Sequence, residues 1–133
     1  MLTPMPPRVG VEVFLPRAEA ESGRWRMSWN IQNLGDAAIA LQSAWIPHGH
    51  FRGDGRVPLA SLIEPGGSTR LEFLVSAQEA PGTRVDNAYL ILQTGFEGRR
   101  WRIFTRMRIE FDALGIPTPV VEAITTQPAL ADG

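Results

Sequence analysis

A chain of 133 residues carrying thirteen arginines, no lysine, fourteen acids and a formal charge of −1 fits one domain, since a chain of this size hides roughly two-thirds of its unfolded surface on folding. The absence of cysteine excludes disulfide frameworks, thiolate metal sites and thiol catalysis, and the near-neutral charge argues against a strongly electrostatic partner such as duplex DNA. The start, MLTPMPPRVG, lacks a basic stretch followed by an apolar run, and nowhere do ~18 apolar residues follow one another, so the expectation is a soluble, cytoplasmic protein without membrane insertion.

In chain order, RVGVEVFL (8–15) reads as a first strand. PRAEAES (16–22) has helix-like composition. In RWRMSWNIQN (24–33), Trp25, Met27, Trp29 and Ile31 alternate with Arg24, Arg26, Ser28, Asn30 and Gln32, the period-two signature of a half-buried strand. NLGD then turns the chain. AIALQSAWI (38–46) is a further strand ended by Pro47, and RVPL (56–59) a short edge strand where Pro58 is tolerated because no ladder donor is needed. After the EPGGS turn, TRLEFLVSA places Leu71, Phe73 and Val75 on one face. APGT marks the next reversal, and VDNAYLILQT follows it, apolar on both faces at its centre.

Segment 99–111 is the clearest strand. Trp101, Ile103, Thr105, Met107, Ile109 and Phe111 hold the odd positions, and Arg100, Arg102, Phe104, Arg106, Arg108 and Glu110 the even ones. A one-residue slip would bury the four arginines, so its register is strongly specified. Beyond Leu114 the chain is rich in proline and threonine and reads as a docking or linker tail. Within it TPVVEAIT (118–125) is helix-compatible, with Thr118 as cap and Pro119 at the first helical position,. No internal repeat is present. Six or seven strands at this turn spacing suit an all-β sandwich or barrel.

The runs WNIQNLGDAAIAL, IEPGGSTRLEFLV and APGTRVDNAYLIL resemble the immunoglobulin-like bacterial modules related to fibronectin type III and to the cell-adhesion-related CARDB domains. Asp86, Ala88 and Leu90 are similar to the Asp-x-Ala-x-Tyr of immunoglobulin strand F, with leucine in place of tyrosine and Leu92 where the disulfide cysteine would stand,. The resemblance implies an immunoglobulin-like antiparallel β-sandwich of about seven strands over 8–112, after an N-terminal extension at 1–7 and before a Pro-rich C-terminal tail at 113–133.

The stretch HGHFRGDG (48–55) holds both histidines of the chain. His48-x-His50 followed by Asp54 resembles the first cupin motif, in which imidazoles two apart on a strand converge on a metal with a carboxylate. No third histidine exists, and an ordinary glycine turn is the simpler reading. Arg52-Gly53-Asp54 as an integrin signal would need an exposed loop tip on an exported protein. No GxSxG elbow and no GxxxxGK[ST] loop occurs,, so no catalytic site and no cofactor is expected. Trp25, Trp29 and Trp101 belong to the core, whereas Trp45 beside Phe51 could offer a sugar-stacking platform.

The outward positions of the last two strands say more. If Ala88, Leu90 and Leu92 point inward, Tyr89 and Ile91 share an outer face with Phe104, Arg102 and Arg106. Aromatics and arginines are the residues enriched at protein–protein hot spots. The alternative is a solvated face whose arginines pair with Glu97 and Glu110. A single nucleic-acid strand would also favour arginine alternating with aromatics, but the acids of neighbouring strands speak against it. The sequence therefore points to a non-catalytic module binding a protein partner or a second copy of itself through Tyr89, Ile91, Arg102, Phe104 and Arg106. The second reading is a cupin-like barrel binding a metal or small molecule through His48, His50 and Asp54.

Overall fold

The computed structural model describes residues 4–19 and 21–129. The outermost ends of the expected extension and tail, together with Ala20, lie outside the described residues. The protein is all-β, with two antiparallel sheets packed as a sandwich. The described residues form eleven strands: β1 (Val9–Val13), β2 (Arg17–Ala18), β3 (Arg24–Asn33), β4 (Ile39–Trp45), β5 (Pro47–His48), β6 (Phe51–Gly53), β7 (Val57–Ile63), β8 (Ser68–Ser76), β9 (Arg84–Phe96), β10 (Arg99–Phe111) and β11 (Pro117–Pro128). The first sheet runs β1-β3-β8-β6-β5, with β2 continuing along the β3 edge that β1 occupies. The second runs β11-β10-β9-β4-β7.

The core lies between the sheets. Met27, Trp29 and Ile31 of β3 and Leu71, Phe73 and Val75 of β8 face Ile39, Leu41, Leu90, Leu92, Ile103, Met107 and Ile109 of the second sheet, all buried. Burial of this kind, at about 25 cal/mol per Å² of apolar surface, is the main force holding the two layers together. From Trp101 onward β10 follows its expected alternation, with Trp101, Ile103, Thr105, Met107, Ile109 and Phe111 buried and Arg102, Arg106 and Arg108 on the far side. Of the three tryptophans expected inside, Trp29 and Trp101 are buried and Trp25 packs half-buried against the core, its indole donating to the Ala77 carbonyl at 2.8 Å.

Turn chemistry fixes the strand pairing. Glu97 and Gly98 join β9 to β10 with φ of 49° and 77°, and Phe96 pairs with Arg99 across them. Two successive positive φ values make the two-residue type I′ loop whose twist matches that of the strands it joins. Between β7 and β8, the Gly67 N–H donates to the Glu64 carbonyl at 2.8 Å and Gly66 has φ 77°. Proline followed by a positive-φ glycine is the type II signature.

Three expectations change. The segment read as a tail is largely strand: β11 pairs with β10 from Phe111↔Pro117 to Trp101↔Pro128 and adds a fifth member to the second sheet. Its β-branched residues, Val120, Val121, Ile124, Thr125 and Thr126, suit a pleated surface better than a helix, and its prolines are tolerated because it is an edge. Residues 16–22 are likewise not helical. Arg17 and Ala18 pair with Arg26 and Trp25, where an open edge of β3 supplies backbone partners that so short a helix could not. Finally, RVPL is the start of a longer edge strand, β7.

Candidate interaction surface

The outer face of the second sheet is built in three cross-strand rows. Trp45, Ile91, Phe104 and Thr125 form the middle row, Tyr89, Arg106 and Ala123 lie on one side, and Ser43, Gln93, Arg102 and Gln127 on the other. Directly opposed side chains on one face are about 5 Å apart and interact. Tyr89, Ile91, Arg102, Phe104 and Arg106 are thus brought together as expected, with Trp45 added to them. Tyr89 meets Phe104 edge to face at 6.2 Å. Ile91, although it points outward, is only 9 % exposed between its aromatic neighbours.

Each arginine on this face is held differently. Arg102 donates to Gln93 Oε1 at 3.1 Å, and its guanidinium lies 5.3 Å from the Trp45 ring. Arg56, from the approach to β7, stacks on the same indole at 3.8 Å. Arg106 Nε is buried, has no hydrogen-bond partner among the described residues and sits 3.9 Å from Glu122 Oε1, while the other oxygen of Glu122 accepts from Arg108 at 2.9 Å. Glu110 pairs with Arg108 as well. Of the two carboxylates expected as partners, Glu110 therefore does pair. Glu122 of β11 meets both Arg106 and Arg108.

The outer face of the first sheet is unlike it. Arg26 bridges Glu19 and Glu72, Arg17 reaches Glu72, Arg70 donates to Ser28, and Arg70 also stacks on Phe14. Arg17 and Arg26 are thus paired with carboxylates of the same sheet, whereas Arg70 meets a hydroxyl and a ring.

The histidine stretch is a small two-strand corner of the first sheet with an exposed turn at Gly49 and His50 and an exposed bend at Asp54 and Gly55, where Gly55 has φ 95°. Phe51 has no exposed surface and Gly53 is paired with Val75. A platform of Trp45 with Phe51 is therefore ruled out, because Phe51 belongs to the core. Asp54 accepts two hydrogen bonds from Arg24, at 2.8 and 2.6 Å. His50 pairs with Glu79 at 2.9 Å and its backbone N–H donates to His48 Nδ1. The three expected metal ligands are consequently engaged separately, and among the described residues no group of three His, Asp or Glu converges. The Arg-Gly-Asp triplet begins within strand β6, with its carboxylate already occupied.

The Asp54 carboxyl is held below the usual carboxylate range, first by its hydrogen bonds to Arg24 and then by the charges of Arg24 and Arg52. A depressed native pKa contributes stability that is complete above the unfolded value near ~3.9 and is lost as pH falls through the lower native value. Asp54→Asn should therefore lower the urea midpoint at neutral pH and flatten the wild-type decline below about pH 4. Parallel acid limbs for the two proteins would show the pair to be energetically silent.

Compared with known families and curated proteins, the chain matches no family model and no curated sequence. Among the described residues no helix is long and apolar enough to cross a membrane.

Proposed function

We propose that the chain is an immunoglobulin-like, non-catalytic interaction module that binds a protein partner, or a second copy of itself, through Trp45, Tyr89, Ile91, Arg102, Phe104 and Arg106. Support for the immunoglobulin-like part comes from the order β1-β3-β8 in one sheet against β10-β9-β4 in the other, which parallels the A-B-E and G-F-C arrangement of that family. The chain departs from it in lacking the tyrosine and cysteine of strand F, at Leu90 and Leu92, and in adding β11 beyond β10.

The observation that carries the interaction reading is the asymmetry of the two outer faces. One pairs Arg17 and Arg26 with Glu19 and Glu72 and sets Arg70 over Phe14. The other gathers an indole, a phenol, a phenyl ring and an aliphatic side chain between arginines, including an Arg106 Nε without a hydrogen-bond partner among the described residues. Rigid rings and planar guanidiniums bury area at modest entropic cost.

A photo-cross-linking amino acid at position 89 tests the reading, with Gln32 on the other sheet as the control position. In lysate of the source cells, Tyr89→p-benzoylphenylalanine should give a discrete adduct that Phe104→Glu abolishes and Arg70→Glu leaves intact. An adduct at twice 14.7 kDa assigns the face to self-association. No adduct at position 89, or the same adducts from position 32, would remove the proposal.

A further inference from the structure

At one end of this face arginines gather beside a cavity. Trp45, Ile46, Pro47, Arg52, Gly53, Asp54, Gly55 and Arg56 line a cavity of about 420 Å³, and Arg102 approaches the same indole from β10. Among the described residues Arg52, Arg56 and Arg102 have no carboxylate within 4 Å. Asp54, the one acid on the cavity wall, spends both oxygens on Arg24. A local excess of positive charge thus sits on a chain whose formal charge is −1.

We propose that Arg56 and Arg102 beside Trp45, with Arg52 on the wall of the same cavity, form a carboxylate pocket that takes an Asp or Glu side chain from an extended acidic segment of the partner. The inference rests on the interaction reading above and names the chemistry of what binds there. A guanidinium stacked on an indole keeps its in-plane N–H groups available, and that planar fork matches a carboxylate with two parallel hydrogen bonds. Ile46 and Pro47 in the wall and the adjoining row of Trp45, Ile91 and Phe104 supply apolar ground for the residues beside that acid. A free inorganic anion would use the guanidiniums and leave this row bare. Charge complementarity of this kind selects the partner and orients it.

The test uses the full chain labelled with ¹⁵N. Trp25 is hydrogen-bonded at the edge of the core and Trp29 and Trp101 are inside it, so the Trp45 indole signal, assigned by its loss in Trp45→Phe, reports on the pocket. Titration with acetyl-Glu-Leu-Glu-Leu-Glu-amide should move that signal saturably. The Arg56→Ala/Arg102→Ala variant should bind about tenfold more weakly, the order of effect expected for losing charge-assisted hydrogen bonds. Arg84→Ala, remote in an ion pair with Asp86, should bind as wild type.

An unmoved Trp45 signal would overturn the proposal, as would equal binding of the glutamine version of the peptide or undiminished binding by the double variant. Inorganic phosphate moving the signal where the peptide does not would overturn it too. A position-89 adduct that survives intact in a double variant deaf to the peptide removes the pocket and leaves the interaction face standing. A wild type that binds the peptide yet forms no adduct keeps the pocket and removes the face.

Discussion

Replacing Trp29 by alanine should destabilise the domain by about 3–5 kcal/mol, the range for truncating a buried tryptophan, where lost transfer energy and a residual cavity add together. Trp29 has no exposed surface and packs edge to face on Phe73 at 5.8 Å, tying adjacent strands β3 and β8 to each other beneath the second sheet. A domain of ordinary stability holds only about 5–15 kcal/mol in total, so the variant should be near its unfolding midpoint at moderate urea. Trp29→Phe separates two contributions. Among the described residues the buried indole N–H has no acceptor, and such an orphan costs about 1–3 kcal/mol, which phenylalanine would recover while giving up the smaller ring's share of contact. The phenylalanine variant should consequently lie much closer to wild type than the alanine variant. Urea unfolding followed by far-UV circular dichroism, which does not depend on the deleted fluorophore, measures both. An alanine variant within about 1 kcal/mol of wild type, the size of an ordinary substitution, would mean that the core centres elsewhere.

Period-two patterning was enough to place most of the sandwich, because a strand with one dry face and one wet face can be read in only one register. β3, β8 and β10 behave this way, and alternation together with the pairing of consecutive strands places Tyr89, Ile91, Arg102, Phe104 and Arg106 on a common face,. Alternation does not place Trp45 there, and the cause is local. Alternation counted from Ile39 through Leu41 would turn position 45 inward, yet the pairing of β4 with β9 shifts between Leu41 and Ser43. One extra residue in the ladder reverses every side chain after it, so Ala44 and Ile46 are buried and Trp45 joins Ile91 outside. The adjacent polar residues Gln42 and Ser43, splitting an apolar run into two phases, are the trace this leaves in the sequence.

Glu122 was missed for a related reason. The pairing of β11 shifts between its partners at Arg106 and Met107, where Ala123 and Val121 are consecutive in the ladder and Glu122 is the residue between them. The bulge brings its carboxylate to Arg106 and Arg108. A glutamate in a segment rich in proline and threonine gave no hint of pairing, since β11 becomes a strand only by adding to the free edge of a thirteen-residue β10. Propensity described the segment poorly because the tertiary partner decides its state. Arg56 depended on the same kind of distant information: its place over Trp45 follows from β7 lying beside β4.

Asn33 is where a single polar side chain joins the two sheets, and its loss should be the second large defect. It ends β3 on the inward side, 1 % exposed. Its amide donates to the carbonyls of Ala37 at 2.8 Å and Ile63 at 2.9 Å, and its oxygen accepts from the Gly35 N–H at 2.9 Å. The backbone of the same residue bonds to Gly66 and Gly67. The turn that leaves the first sheet is thereby fastened to the one that re-enters it. Asn33→Leu keeps the branching of the side chain, with bulkier ends, and strands three polar groups, so a loss of about 3 kcal/mol is expected at roughly 1 kcal/mol for each. Asn33→Asp keeps the shape and should be worse at neutral pH, because a carboxylate would face two carbonyl oxygens in a site closed to water. Burial and those dipoles raise the native pKa of the introduced carboxyl above its unfolded value. The variant should therefore recover stability as pH falls through that raised value and approach Asn33→Leu when protonated, in the opposite sense to the acid limb of Asp54. Urea midpoints for both variants between neutral pH and about pH 4, just above the unfolded carboxyl value, give the comparison. An Asn33→Asp variant that tracks wild type at every pH would show that the turns are held by their backbone bonds alone.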